Sequence, residues 1–554
     1  MISMTVVRSK LDHLLRLLGV KVDNRTLIES LEQMGTDPAI NEDELVVEVY
    51  PNRPDMYSTE GITRALRAYL EISPGLPTFN VKQGDIQIIV DRSVLSVRPY
   101  IAGAVVRNVS LDEDALESIM RLQEALHESY GRKRRKVAIG IHDLDKVKPP
   151  FTYTCVPPDG LKFVPLGFDK ELTPREVLER HPKGVEYGHI IKDKDLYPII
   201  IDKNANVLSM PPIINGELTR VTTATRNIFI DVTGTHLDAV IGAAEIVATA
   251  VSEYGDIIER VTIVHPHGTI VTPEISYKEI SISIDLVKEV LGIDLSTKDI
   301  EKSLKRMMYD VSFKDDKIIA KYPTFRRDIL HPIDIIEDIA IGYGYESLGE
   351  DLPKEYSQGH EDPVLEEIDI IRDILVGLGF IEVITFTLIS DEYEFDKLRL
   401  RRSKAARILN PITSEMTIVR SSLIPSLLKV LHYNKDEELP LRIFEVGEVV
   451  NEEYKNEYML SFLVMDTKNA NFNEMRKYVE AFFRYYCDSC AKLKMKDDPR
   501  FIPGRSAEIL INNVPVGIFG EVHPEVLENF NIPYPVVATE IKINDMLKAL
   551  HNRP

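Results

Sequence analysis

Segments with apolar periodicity recur along the whole 554-residue chain, and stretches rich in proline and glycine separate groups of them. Each such segment must bury its apolar side in a core, so the pattern excludes a disordered chain. At about 150 residues per domain, we expect three to five domains. No segment approaches the roughly 20 uncharged apolar residues that a membrane-spanning helix needs. The N-terminal segment lacks a secretory cleavage pattern, and we expect a cytoplasmic protein.

Changes along the chain in the pattern of strand-like and helical segments predict an α+β multidomain fold with four domains. Residues 1–84 are expected to form an N-terminal α/β unit, because Ser73–Pro77 carries two prolines and a glycine. Residues 85–268 alternate strand-like and helical stretches, which predicts a mixed α+β domain. A smaller unit is expected over 269–355. Residues 356–554 are expected to form an antiparallel sheet with flanking helices.

The charge of the chain argues against nucleic-acid binding by its whole surface. It has 88 Asp and Glu residues against 67 Lys and Arg residues, a formal net charge of −21. The exception is one basic run, Gly-Arg-Lys-Arg-Arg-Lys, over residues 131–136. This run predicts either a solvated loop or a contact with RNA phosphates, and the sequence leaves both open.

The three cysteines exclude a disulfide scaffold. Cys487 and Cys490 form a single C-x-x-C pattern. A structural zinc site needs four ligands, and no second pair follows. We therefore expect two small residues on one helix face, with a redox or disulfide role as the alternative.

The strongest local signal is an acidic run that starts after a pair of arginines. Its carboxylates are Asp328, Asp334, Glu337 and Asp338. Pro332 suits the first turn of a helix, which places the last three carboxylates on one helix face. Such an oxygen-rich cluster suits Mg²⁺. The alternative is a helix start enriched in acids for its dipole, with Arg326 and Arg327 as ion-pair partners.

A second group of polar residues lies in two segments, Val207–Gly216 and Ile230–Thr235. In the second segment a strand containing Asp231 ends in small hydroxyl residues and a glycine. Such a strand end can hold a polar ligand through hydroxyl groups and a carboxylate acceptor. The alternative is a tight loop in which Asp231 and Thr233 bond to backbone groups.

The last domain contains no recognisable catalytic or nucleotide-binding motif. The chain has neither a P-loop nor a G-x-G-x-x-G pattern, and no nucleophile elbow or H-E-x-x-H motif. The strand motif Phe-Glu-Val-Gly at 444–447 and the strand-to-helix turn at 517–524 supply no evident catalytic group.

Several motifs together resemble one family, the β subunit of phenylalanyl-tRNA synthetase in its archaeal and eukaryotic form. They occur in family order along essentially the whole chain. They are PNRPD with S-x-E-G-I-x-R (51–64), AIGIHDLD (138–145), PPIING (211–216) with IDVTGT (230–235), the R-x-D-I…GYGY run (326–345), and FEVGEV (444–449) with GIFGEVHPEVLENF (517–530).

The resemblance implies an (αβ)₂ heterotetramer in which the α subunit holds the aminoacylation site and uses ATP and Phe to charge tRNA(Phe). Residues 1–84 would be a B1-like domain, and 269–355 a B5 domain of winged-helix type. Residues 356–554 would be a class II synthetase fold without its chemistry. The stretch Gly520–Val526 lacks the nucleotide-binding arginine, so no catalytic residue for aminoacylation is expected. The acidic run matches the family's Mg²⁺ ligands.

By the same resemblance, residues 85–268 would be a B3/B4-like editing domain that hydrolyses mischarged Tyr-tRNA(Phe). An apolar pocket rejects an added hydroxyl by only about 10²-fold, so a second site must recognise the tyrosine hydroxyl. The implied pocket residues are Ser209, Asn215, Asp231, Thr233 and Thr235. The alternative is a non-enzymatic scaffold for tRNA binding and assembly, with an inactive pocket. Loss of Asp231 would distinguish the two.

Overall fold

The structure is a computed structural model that describes residues 5–350 and 358–551. The chain divides into two compact units, Met1–Leu352 and Pro353–Pro554. Within the described ranges, no helix has the length and apolar character needed to cross a bilayer.

The first unit begins with a three-stranded antiparallel sheet in the order β1-β3-β2 and three helices packed on it. Its elements are β1 (Thr5–Lys10), α1 (Leu11–Leu18), α2 (Asn24–Gln33), β2 (Asp37–Asn41), β3 (Glu44–Val49) and α3 (Thr59–Tyr69). The predicted α/β character is confirmed. The sequence predicts a helix from Thr26, with Glu29 three residues later, but α2 begins two residues earlier. The Asp23 side chain caps it by accepting from the Thr26 N–H at 3.0 Å.

A ten-stranded mixed sheet forms the centre of the first unit. Its elements are β4 (Val81–Val90), β5 (Tyr100–Arg107), α4 (Glu113–Glu128), β6 (Val137–Asp143), β7 (Phe151–Val156), α5 (Pro174–Arg180), α6 (Pro182–Tyr187), β8 (Tyr197–Ile201), β9 (Val207–Met210), β10 (Ile214–Asn215), β11 (Ile228–Gly234), α7 (Leu237–Val251), β12 (Ile257–His265) and β13 (Gly268–Thr272). The order is β10-β9-β8-β7-β4-β12-β5-β11-β6, with β13 added to β12. Only the pairs β4·β12 and β4·β7 are parallel.

The last part of the first unit is a three-stranded antiparallel sheet with three helices. Its elements are β14 (Tyr277–Ser283), α8 (Ile284–Leu291), α9 (Thr297–Arg306), β15 (Asp310–Lys314), β16 (Lys317–Pro323) and α10 (Pro332–Tyr343). The hairpin predicted over residues 315 and 316 and the helix predicted from Pro332 are confirmed.

The three parts of the first unit share one continuous core, which runs from Val7 to Ile339. The ten-stranded sheet also begins before residue 85 and continues to Thr272 in β13. The predicted boundaries at 84 and 268 therefore fall inside a strand and a hairpin. The pattern of apolar and polar residues shows where the type of secondary structure changes along the chain. The shared core nevertheless joins these parts into one unit.

The second unit is built on a seven-stranded sheet in the order β17-β20-β21-β25-β24-β23-β22, with a separate pair β18-β19. Its elements are α11 (Pro363–Gly377), β17 (Ile381–Glu382), β18 (Leu388–Ile389), β19 (Ile418–Val419), α12 (Ile424–Tyr433), β20 (Leu441–Val450), β21 (Asn456–Met465), α13 (Phe472–Cys487), β22 (Ala491–Met495), β23 (Phe501–Ile511), β24 (Val514–Val522), α14 (Pro524–Asn529), β25 (Val536–Lys542) and α15 (Ile543–His551). All neighbouring strands are antiparallel except β17 and β20.

Two predictions for the second unit are wrong. The apolar run over 382–387 predicts a strand, but the strand stops at Glu382, and the side chains of Ile384 and Phe386 are 90% and 78% exposed. Cys487 and Cys490 form a disulfide at the end of α13 instead of lying on one helix face. Residues 488 and 489 adopt left-handed backbone conformations, so the helix ends between the two cysteines.

Candidate active site

A cavity of about 260 Å³ opens beside edge strand β6, between the two ends of the ten-stranded sheet and helix α4. The two ends approach each other, since the Asn215 amide donates to the Ile141 carbonyl at 3.4 Å. The polar or charged side chains that line the cavity are Gln123, Glu124, His127, Arg134, Lys183, Ser209, Asn215, Thr219, Arg220, Asp231 and Thr233.

Asp231 occupies the floor of this cavity on a strand that is paired on both sides. Strand β11 lies between β5 and β6, where Asp231 is opposite Gly103 and Gly140. The residue is 2% exposed. Its side chain therefore has a fixed direction and little contact with water.

The Gly140 position leaves the space that the Asp231 carboxylate occupies. A Cβ atom at Gly140 would lie 2.2 Å from Asp231 Oδ2 and 2.5 Å from His142 Nε2. Both distances are far shorter than a non-bonded contact, so only glycine fits beside this pair. The glycine in AIGIHDLD thus has a direct role in shaping the site.

A buried chain of hydrogen bonds holds one oxygen of Asp231. His142 Nε2 lies 2.6 Å from Asp231 Oδ2, and His142 Nδ1 lies 2.8 Å from the Thr219 hydroxyl. A carboxylate only accepts, so His142 donates through Nε2 and accepts at Nδ1 from Thr219. Asp231 Oδ1 has no hydrogen-bond partner among the described residues. This oxygen is an acceptor available to a ligand.

Ser209 supplies a second unsatisfied polar group. Its hydroxyl lines the cavity, is fully buried and makes no hydrogen bond. Buried polar groups without partners are rare in native proteins, and they mark sites of a bound ligand or water. Asp231 Oδ1 and Ser209 Oγ thus form an incomplete polar lining that a ligand hydroxyl can satisfy.

Thr233 and Thr235 have different surroundings, although only one residue separates them. Thr233 lines the cavity, and its hydroxyl accepts from Arg98 Nε at 2.9 Å. Thr235 lies outside the cavity lining, where it is exposed and contacts His236 at 3.0 Å. Strand β11 ends at Gly234, and the chain turns away there toward α7. Four of the five predicted pocket residues therefore share the cavity.

Arg98 places a positive charge behind the Thr233 wall. It is 2% exposed, and its guanidinium also donates to the Thr233 carbonyl at 2.7 Å. Burial lowers the pKa of Arg98 to about 10, although Tyr153 and Asp231 oppose the shift. The group therefore remains charged at neutral pH and offsets the negative charge of Asp231.

Helix α4 satisfies the outward backbone groups of edge strand β6. The Ile139 N–H donates to His127 Nε2 at 2.8 Å, and Gln123 donates to the Ile139 carbonyl at 2.8 Å. This pairing fixes the His127 proton on Nδ1. Burial lowers the pKa of His127, so the ring is neutral.

Glu124 and Arg134 form a charged rim beside His127. Arg134 donates to Glu124 at 2.7 Å and to the Ile213 carbonyl at 2.7 Å. Burial opposes ionisation of Glu124, but His127, whose Nδ1 lies 3.6 Å away, and the charge of Arg134 hold its pKa at about 2. The basic run 131–136 therefore contributes one buried arginine to the cavity itself.

Sequence analysis predicts no individual role for His142, Thr219, Arg98 or His127. His142 had a signal, because it stands two residues after a glycine in a strand whose other side chains are almost all apolar. His127 and Thr219 line the cavity, whereas Arg98 lies behind Thr233. No local pattern identifies them.

The predicted metal ligands form an ion-pair network around Arg326 on the third part of the unit. Arg326 donates to Asp328 and to Asp338, each at 2.7 Å, and Tyr309 donates to Asp338 at 2.5 Å. Asp334 accepts from two backbone N–H groups at the start of α10. This is the arrangement that the dipole and ion-pair alternative predicts.

Glu337 is the one member of the run without a partner among the described residues. Partial desolvation, followed by the charges of Asp338, Asp334 and Asp328, raises its pKa. The four carboxylates thus share one negative field. No three of the carboxylates bring oxygens together in one close cluster. Among the described residues, the cluster of that kind is His13 with Asp112 and Asp114. Lys10 and Arg16 already form ion pairs with that cluster.

The strand motif at 444–447 serves packing in the second unit. Glu445 pairs with Arg420 at 2.8 Å, and both side chains are 2% exposed. A Cβ at Gly447 would lie 2.3 Å from Arg420 Nη2, so the glycine makes room for the arginine. A buried ion pair is costly to break, which explains this motif without a substrate.

Three family models match successive parts of the chain. The B3/4 domain matches residues 98–255, the tRNA synthetase B5 domain matches 280–345, and the phenylalanyl tRNA synthetase beta chain CLM domain matches 349–543. The first match contains the cavity, and the second contains the acidic run.

Whole-chain relatives extend these matches. The phenylalanine–tRNA ligase beta subunit of Archaeoglobus fulgidus is 42% identical over 546 residues, 98% of each chain. That of Methanosarcina barkeri is 40% identical over 98% of this chain and 99% of the relative. A solved N-terminal fragment of the phenylalanyl-tRNA synthetase beta subunit from Pyrococcus horikoshii is 40% identical. Its TM-score is 0.60, and the match covers 61% of this chain and all of the fragment. The chain therefore belongs to the phenylalanine–tRNA ligase beta subunit family.

Proposed function

We propose that the chain hydrolyses mischarged Tyr-tRNA(Phe) in the cavity around Asp231 while serving as the β subunit of a cytoplasmic phenylalanine–tRNA ligase. The observation that carries the proposal is that the free Oδ1 of Asp231 and the unpaired hydroxyl of Ser209 line the same cavity. A tyrosine hydroxyl can donate to the first and accept from the second. Phenylalanine offers neither bond and would leave both groups unsatisfied.

Hydrogen bonding to a carboxylate supplies the required selectivity. A hydrogen bond to a charged group contributes about 1.5–3 kcal/mol. This corresponds to roughly tenfold to over a hundredfold discrimination between the two amino acids. The Thr219–His142–Asp231 chain holds the acceptor in place before the ligand arrives, so little ordering is needed on binding.

The attacking group in this proposal is water. Thr233 accepts from Arg98, so its hydroxyl has no base beside it. Thr219 does donate to His142, and we assign that contact to holding Asp231 in place. Ser209 has no partner that would take its proton. Water would add to the ester carbonyl carbon, and the bond to the terminal ribose oxygen would break, releasing tyrosine and uncharged tRNA.

We assign residues 1–84 to a B1-like domain, 85–268 to a B3/B4-like editing domain, 269–355 to a B5 winged-helix domain and 356–554 to a class II-like domain. The domains other than the editing domain would serve assembly. The α subunit of an (αβ)₂ heterotetramer would bind ATP, Phe and the reacting end of tRNA(Phe) during charging. Exposed apolar side chains on the second unit support a protein partner there, with Leu409 at 92% and Ile412 at 99% exposure.

We further propose that the acidic run binds Mg²⁺. Glu337 is unpaired, and the shared negative field favours a cation. Asp328 and Asp338 already bind Arg326, so these two carboxylates would have to exchange the arginine for the ion. Hence Glu337 and Asp334 are the ligands that Mg²⁺ would meet first.

The test is the effect of Asp231→Asn on two reactions of the assembled enzyme. We expect deacylation of Tyr-tRNA(Phe) to fall at least tenfold, while charging with Phe stays at the parent level. Thr235→Ala is the matched control, because this hydroxyl lies on the same segment but outside the cavity. A loss in affinity would indicate hydroxyl recognition, and a loss in rate alone would indicate positioning of water.

Two outcomes would contradict the proposal. Unchanged deacylation in the Asp231 variant would favour the non-enzymatic scaffold or place the activity elsewhere. An equal loss of both reactions would mean that Asp231 is needed for folding only.

A further inference from the structure

A second, larger concavity lies on the other side of helix α4. This groove has a volume of about 1100 Å³ and is bounded by β1, the loop after β3, helix α4 and the loop 131–136. Its lining includes five basic side chains and two acidic ones. The basic residues are Arg8, Arg121, Arg132, Lys133 and Lys136, and the acidic residues are Glu124 and Glu128.

Three of the basic residues form no ion pair within the described part of the chain, although Lys136 lies over the Tyr130 ring and helps to lower the pKa of Asp238. Arg132, Lys133 and Lys136 form no ion pair with any carboxylate in the described ranges. By contrast, Glu124 is already paired with Arg134 at 2.7 Å. The groove is therefore a local positive site on a chain whose net charge is −21.

The loop 131–136 holds these charges in an unusual backbone. Arg132, Lys133 and Arg134 are consecutive and left-handed, with φ of 51°, 53° and 64°. Each such residue costs about 1–2 kcal/mol relative to the right-handed form. The Lys133 and Arg134 N–H groups donate to the last two carbonyls of α4 at 3.2 and 3.1 Å, and the Arg132 N–H donates to the carbonyl of Ser129, the next residue, at 3.0 Å. These bonds hold the turn in place.

This turn divides its side chains between two sites. Arg134 is 5% exposed and points into the cavity, where it lines the wall beside Ile213. Arg132 and Lys133 are exposed and line the groove. Glu124 lines both the cavity and the groove. The two concavities are therefore neighbours, separated by one turn of α4 and this loop.

We propose that this groove binds the phosphate backbone of an aminoacyl-tRNA and guides its charged end into the cavity around Asp231. The proposal rests on the hydrolytic function proposed above. Unpaired, exposed arginine and lysine side chains in an open groove suit phosphates, which bind through charge and release counterions. The contacts carry no base preference, because they are made with the backbone and not with base edges.

The test compares a large and a small substrate on the full chain assembled with its α subunit. The triple variant Arg132→Asn, Lys133→Asn and Lys136→Gln removes the three unpaired charges. Asparagine is chosen because it tolerates left-handed backbone better than other residues. The substrates are Tyr-tRNA(Phe) and a tyrosine ester of adenosine, which has the scissile bond but no phosphate chain.

We expect kcat/KM for Tyr-tRNA(Phe) to fall on the order of fivefold per lost charge near 0.1 M salt, with a log–log salt slope shallower by about 2–3. Hydrolysis of the adenosine ester should stay at the parent level. Arg135→Asn is the matched control, since it removes a charge from the same loop but outside the groove lining. It should reproduce the parent on both substrates.

The other outcomes overturn the proposal. Unchanged Tyr-tRNA(Phe) hydrolysis, or an equal loss on both substrates, would mean that the loop only supports the cavity. Loss of α-subunit assembly with intact tRNA affinity would identify a protein interface. If the parent hydrolyses neither substrate, the hydrolytic function fails, and fluorescence anisotropy with labelled tRNA still decides the groove, because a variant with parent affinity and salt slope would exclude phosphate binding.

Discussion

Glu245 on helix α7 is a buried acid with an unusual ionisation. It is 2% exposed, and its Oε2 atom has no hydrogen-bond partner. Burial raises the pKa of Glu245 from 4.5 to about 7, although the nearby Arg327 opposes the shift. The folded state therefore favours the protonated form, whose contribution to stability is present below pH 4.5 and lost as the pH rises through 7.

The substitution Glu245→Gln tests this dependence of stability on pH. Between pH 5 and pH 8 the parent should lose about 2–3 kcal/mol of unfolding free energy from this group. The variant should lack that part of the decline and be the more stable protein at pH 8. Urea unfolding at several pH values measures it, with Glu113→Gln on the exposed face of α4 as the control. Parallel pH curves for the parent and Glu245→Gln would contradict the assignment.

Some residues of the cavity could be predicted from the sequence, and others could not. Asp231 and Ser209 were predictable as candidates, because hydroxyl groups and a carboxylate near a strand end form a recognisable local pattern. His142 lies 89 residues from its partner Asp231, and the two meet only because β6 pairs with β11. A single sequence carries no register between distant strands. For the same reason, Thr235 could not be distinguished from Thr233 before the end of β11 was known.

At the scale of elements, helix α10 separates two explanations of the acidic run. Asp334 accepts from the N–H groups of Leu330 and His331, each at 2.7 Å, so it closes the start of the helix. Loss of such a cap costs about 0.5–2 kcal/mol. This cost does not depend on a metal.

Thermal unfolding with and without Mg²⁺ can therefore separate the two roles. Asp334→Ala should lower the stability of the chain in both conditions. Glu337→Gln removes an unpaired carboxylate and should abolish any stabilisation by Mg²⁺ while leaving the metal-free stability at or above that of the parent. A parent that gains nothing from Mg²⁺ would leave the run as an ion-paired helix start and contradict the metal assignment.

Helices were predictable to within a few residues where a cap or proline fixed their ends, as in α10 and α12. Long strands were also found, because apolar side chains alternate or run together in them. The segment after Glu382 was wrongly predicted as a strand, since its apolar residues suit a strand but are exposed. An apolar segment predicts a surface that will be buried. It does not show whether the same chain or another protein buries that surface.

At the scale of the molecule, those exposed residues are where the proposed assembly with an α subunit can be tested. Ile384, Phe386, Leu409 and Ile412 are all at least 78% exposed on loops of the second unit. We expect Phe386→Asp with Ile412→Asp to weaken association with the α subunit by at least tenfold while the chain stays folded. Co-purification and analytical ultracentrifugation measure this, with Tyr454→Asp at an exposed turn as the control. Full association of the double variant would exclude these loops from the interface.

The position of Asp231 on a strand paired along both edges has a consequence for motion. Moving its backbone would require breaking hydrogen bonds to β5 and β6 together, so the floor of the cavity moves only when the sheet itself opens. The loop 131–136, by contrast, is not paired with a strand. Its backbone N–H groups donate to carbonyls at the end of helix α4 and just after it. In the proposed hydrolysis the floor would therefore select its ligand as a rigid template, whereas opening the loop at the entrance breaks fewer hydrogen bonds than opening the sheet.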